Sequence, residues 1–135
     1  MPTVLDLFGQ EQPAWVQGRS MLPAARDPKH PGREFTISTI PFANPGDRVR
    51  SVDNVSRLLT GGLVTTVTAG DWSLLYSVEP GMSELYHLPS DPGQQNNLVH
   101  VESEMAGEVH KRLVGFMRDT GLADDLMKPR LELRL

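Results

Sequence analysis

The chain contains no cysteine. That excludes a disulfide framework, a thiolate nucleophile and a thiolate-bound metal, while leaving the compartment open. No run of lysine and arginine is present and the formal charge is −4, which argues against a nucleic-acid partner, since such partners are held chiefly by phosphate neutralisation. No apolar run approaches the ~20 residues that cross a bilayer, so no membrane partner is expected. The opening Met1-Pro2-Thr3-Val4-Leu5-Asp6 lacks the basic start and long apolar stretch of a signal peptide, which makes a cytoplasmic location the expectation. Aromatic residues make up only 6% of the chain, so Leu, Val and Met must fill much of any core. Internal repeats and low-complexity tracts are lacking as well.

What is present suits a modest globular domain. The 135 residues are enough for one core, because a chain of this size buries roughly two thirds of its unfolded surface. An apolar fraction of 39% and a charged fraction of 22% are ordinary for such a domain. Val4, Leu5 and Phe8 have the spacing of one helical face, with Pro2 suited to the first turn and Gly9 to the end. Ser20 is placed to cap a second helical turn over Met21-Leu22. Asp27-Pro28-Lys29-His30-Pro31-Gly32 is too rich in breakers to be anything but a connection.

Strands are expected next. Residues 35–40 are a β-branched run, and 63–68, 72–78 and 83–88 follow with turns at Gly70-Asp71 and Pro80-Gly81. Such short turns require an antiparallel meander. Between the first two strands, Asp53 is placed to cap a short helix through Val55 and Leu58-Leu59 that Gly61-Gly62 would close. Met105, Val109, Leu113, Phe116 and Met117 form an apolar stripe on a helix over 101–120, with Gly121 as its C′ residue. Gly107 and Gly115 each cost about 1 kcal/mol against alanine, so this helix needs to pack on the sheet. The alternating tail Leu131-Glu132-Leu133-Arg134-Leu135 suggests an added edge strand. The expected class is α+β: about four antiparallel strands against a long C-terminal helix, preceded by short N-terminal helices. The expected division is a helix-and-loop segment over 1–33 and a sheet-and-helix subdomain over 34–135.

One stretch carries more than pattern: Glu84-Leu85-Tyr86-His87-Leu88-Pro89-Ser90-Asp91-Pro92-Gly93-Gln94-Gln95-Asn96-Asn97-Leu98. Physically it is a strand, a tight turn at Asp91-Pro92-Gly93 and a restart toward a helix at Asn96-Asn97. It also resembles the ELYDL-x-x-DP-x-E-x-x-NL signature near the carboxyl end of type I sulfatases, in the alkaline phosphatase-like superfamily. Three further pieces agree in order and spacing: residues 1–9 resemble the family's P-T-(L/I)-L-D-L-(A/F)-G segment, Gly18-Arg19-Ser20-Met21-Leu22-Pro23 its G-x-S-L-x-P, and 67–76 the strand pair before the signature. Only about 44–62 has no counterpart. Thr68 and Ser73 stand where the family usually has arginine and lysine, and His87 and Gln94 where it has aspartate and glutamate. Those sites are taken as surface positions, where the exchanges leave the fold intact.

The resemblance implies a fragment without its reactive centre. The family's nucleophile is a formylglycine made from the first residue of C/S-x-P-x-R, and its Ca²⁺ polarises the sulfate. This chain has no cysteine, and none of its serines begins S-x-P-x-R. The family's metal-binding acidic pairs precede the Pro-Thr segment. Catalytic residues and metal ligands are therefore expected to be none here, with Ca²⁺ and formylglycine confined to a missing N-terminal core. Met1 sits where an interior methionine would, which implies a truncated start, and a full-length relative could be exported.

Asp53-Asn54 imitates the family's metal pair but lies after the Pro-Thr segment, and reads as a cap or turn. His30, His87, His100 and His110 show no ligand spacing, and no serine is brought to a histidine by sequence alone. Asp124-Asp125 reads as a solvated helix end. Trp15 and Arg19 are the only candidate substrate contacts, an aromatic beside a guanidinium that suits a sulfated sugar; otherwise they are a packed loop residue and a solvated charge. The expected partner is the missing core or a second copy through the Val4, Leu5 and Phe8 face. From a different class, a stand-alone module that binds a partner chain or a sulfated glycan remains the alternative. An unrelated small enzyme has no supporting constellation.

Overall fold

The computed structural model of the chain describes residues 1–16, 18–39 and 64–135. The helix expected after Asp53, the Asp53-Asn54 pair and Gly61-Gly62 lie outside the described residues. The chain divides into two units, Met1–Glu34 and Phe35–Leu135.

In the first unit, α1 spans Pro2–Leu7 with Pro2 in its first turn. Its end is a Schellman motif: the Gly9 N–H donates to Asp6 O (3.1 Å), the Gln10 N–H donates to Leu5 O (2.8 Å), and Gly9 takes φ +64°. Helix α2, Leu22–Arg26, has Met21 rather than Ser20 at its N-cap. The Ser20 hydroxyl instead accepts from the Leu22 N–H at 3.1 Å and donates to Asp6 at 2.6 Å, and the Met21 N–H donates to Thr3 Oγ1 at 3.0 Å. Those side-chain bonds tie α2 to α1. No described residue of this unit is buried.

The second unit is the expected meander. Strands β1 (Phe35–Thr39), β2 (Thr65–Ala69), β3 (Trp72–Tyr76) and β4 (Glu84–His87) lie in the order β1-β2-β3-β4. Antiparallel registers such as Ile37↔Val67, Val67↔Leu74 and Leu74↔Leu85 put one apolar row across the sheet. Because side chains alternate faces, Thr36, Thr68, Ser73 and Tyr86 form the matching row on the other side. Helix α3, Ser103–Asp119, supplies Ala106, Val109, Leu113 and Met117 to the same core as Val67, Leu74, Tyr76, Leu85 and Val99. It ends in a second Schellman motif: Gly121 at φ +71° donates to Arg118 O, and the Leu122 N–H donates to Met117 O. Leu122 packs against the core there, the apolar contact this motif favours.

Four expectations need correcting. Phe116 is 41% exposed, and the buried stripe of α3 takes Ala106 and His110 in its place. A stripe drawn from apolar residues alone misses a histidine whose ring finds a partner. Asp124-Asp125 opens a further short helix, α4 (Asp124–Met127), which runs into a 3-10 turn at Lys128–Arg130; two carboxylates suit a helix start better than an end. The 131–135 tail is not a strand. It makes one backbone bond to the β3–β4 turn, from Gly81 N–H to Arg134 O at 3.2 Å, and Leu133 packs on the core. Ser73 is 2% exposed, so that departure from the sulfatase pattern is not at a solvated surface.

Candidate functional site

The 84–98 signature forms a loop closed on itself. Asp91 sits just beyond β4, where its carboxylate accepts the Gln95 N–H (2.8 and 3.0 Å to its two oxygens) and the Asn96 N–H (2.8 Å). Its backbone carbonyl accepts the Gln94 N–H at 3.0 Å. Gln94 is the one non-glycine among the described residues with positive φ, 50°. The Gln95 and Asn96 amides favour the ionised form and hold the Asp91 carboxyl below its ordinary value. An aspartate engaged in this way is a loop former.

Asn97 was expected to lead into the long helix. It does something else: its Oδ1 accepts the Leu85 N–H and the Val99 N–H, each at 3.0 Å. The Leu98 N–H returns to Leu85 O at 2.8 Å. The free edge of β4 is thus paired by a side chain and one backbone amide, which satisfies donors that would otherwise be orphaned beside two buried residues. The helix proper begins later, at Ser103.

The histidines fall into separate places. His30 Nδ1 accepts the Gly32 N–H in the first unit, and His100 is exposed. His87 lies with its ring 4.7 Å from that of Trp72, and its Nδ1 is 2.8 Å from Ser90 Oγ. The turn therefore does bring one serine to one histidine, a pairing that sequence reasoning did not find; an i, i+3 spacing across a strand end was the available signal. The pair is a turn contact rather than a catalytic dyad. Asp91, the adjacent acid, is committed to backbone amides, and the Ser90 hydroxyl lies 3.4 Å from His87 O.

His110 is 4% exposed, with its Nε2 3.0 Å from Arg130 O and its ring 4.8 Å from that of Tyr76. Burial pushes its pKa below the ordinary value of 6.5, partly offset by the bond to Arg130. Tyr76 is 2% exposed and its hydroxyl has no partner among the described residues, and burial raises its pKa against the opposing charges of Arg130 and Arg134.

Trp15 is 79% exposed and Arg19 is exposed too, so neither is a packed interior residue. Among the described residues no group of three or more His, Asp and Glu could hold a metal ion. No described helix is long and apolar enough to cross a membrane.

The second unit is a sheet-and-helix α+β fold that recurs in solved hydrolase structures. A chain from Bacteroides thetaiotaomicron assigned to the sulfatases shares the fold with a TM-score of 0.65 and 21% identity, over 88% of this chain and 24% of its own. A second protein, solved with its substrate D-glucosamine-2-N,6-O-disulfate, gives 0.57 and 22%, over 97% and 24%. A phosphonate monoester hydrolase from Silicibacter pomeroyi gives 0.52 and 22%, over 87% and 23%. The sulfatase resemblance seen in the motifs is therefore present in the fold. The chain spans about a quarter of the length of each of these structures. No family model matches the sequence, and no curated protein does.

Proposed function

We propose that the chain is the carboxyl-terminal part of a sulfatase-like sulfuric ester hydrolase, a subdomain that braces the catalytic body and borders its substrate cleft. One observation supports this most. The Met1–Glu34 unit has no buried described residue, yet it exposes Met1, Val4, Leu7, Phe8, Trp15 and Met21 by half or more. A segment that short, with its large apolar side chains turned out, lacks the burial to offset its own ordering. The similar structures match nearly all of this chain inside molecules about four times longer. On this proposal the nucleophile and the calcium ligands belong to that larger body, and the chain alone is inert.

The test is direct. The purified chain, given calcium, is assayed on an aryl sulfate and an aryl phosphonate monoester. Release at the rate of the protein-free blank is expected, and saturable turnover would refute the proposal. The exposure of Trp15 and Arg19 favours a second reading, an interaction module for a sulfated glycan or partner chain. Titration with D-glucosamine-2-N,6-O-disulfate, the substrate of one similar protein, would quench tryptophan fluorescence in the wild type and not in Trp15→Ala.

A further inference from the structure

We draw no further inference here: the strongest candidate, the apolar surface patch beside the end strand β1, where the Phe35 ring meets the exposed Phe116 ring of α3 edge-on at 6.5 Å, carries nothing because no feature of the described residues shows what covers it.

Discussion

Asn97 is the most informative residue to remove. Its Oδ1 accepts two backbone amides at 3.0 Å, those of Leu85 and Val99, which are 0% and 2% exposed. Asn97→Ala leaves both donors without their acceptor. Each buried donor stripped of its partner costs about 1–3 kcal/mol. The two share one acceptor at the edge of the sheet, where water can reach part way, so the sum is expected to be about 2–4 kcal/mol. Asn97→Asp retains the oxygen and is expected within about 1 kcal/mol of wild type at neutral pH, since the side chain is exposed and its charge stays hydrated. Chemical denaturation followed by circular dichroism measures both, provided the m-value is unchanged. A loss below about 0.5 kcal/mol in Asn97→Ala, the size of an ordinary surface change, would refute the edge-pairing argument.

Other substitutions test separate links. Tyr76→Phe removes a buried hydroxyl with no partner, so stability is expected to be unchanged or raised by about 1 kcal/mol; a clear loss would mean the hydroxyl is paired. Gly121→Ala meets no atom within 4 Å but must adopt φ +71°, so a loss of about 1–2 kcal/mol from left-handed strain is expected in thermal unfolding. Asp91→Asn should lower the Tm at neutral pH. Because the folded-state pKa of Asp91 is depressed below 3.8, its contribution is full above that value and disappears as pH falls through the folded-state value, so the deficit should close in acid. If the exposed Val4 and Phe8 face is a docking surface, the wild type is expected to self-associate in sedimentation velocity and Val4→Asp with Phe8→Asp to be monomeric; a wild type that is monomeric at high concentration would refute that role.

The sheet and its helix were legible because their signals are local. The two-residue turn at Gly70-Asp71, alternation through β2 and β3, and Gly121 at the helix end each act over a few residues. What sequence reasoning missed depends on distant partners. Asn97 looks like any turn asparagine until β4 places the Leu85 amide beside it. His110 interrupts an apolar stripe, and only the stack on Tyr76 and the Arg130 carbonyl explain its burial. The tail alternates like a strand, but among the described residues its backbone bond falls at a turn, at Gly81, and no ladder forms. Ser90 and His87 are three residues apart, and the bend after β4 decides that they meet. Trp15 and Arg19 were legible as residue types with a chemistry, and their exposure keeps them available without assigning them a ligand.

We propose that this chain is the carboxyl-terminal quarter of a sulfatase-like hydrolase, with the reactive centre elsewhere in the molecule. The most direct measurement is to sequence the DNA upstream of the Met1 codon in its source genome. An open frame that runs in phase into Met1 and encodes a C/S-x-P-x-R motif, the formylglycine site, is expected. An in-frame stop followed by a ribosome-binding site, with no gene for a matching core nearby, would contradict it and leave the stand-alone module as the better account.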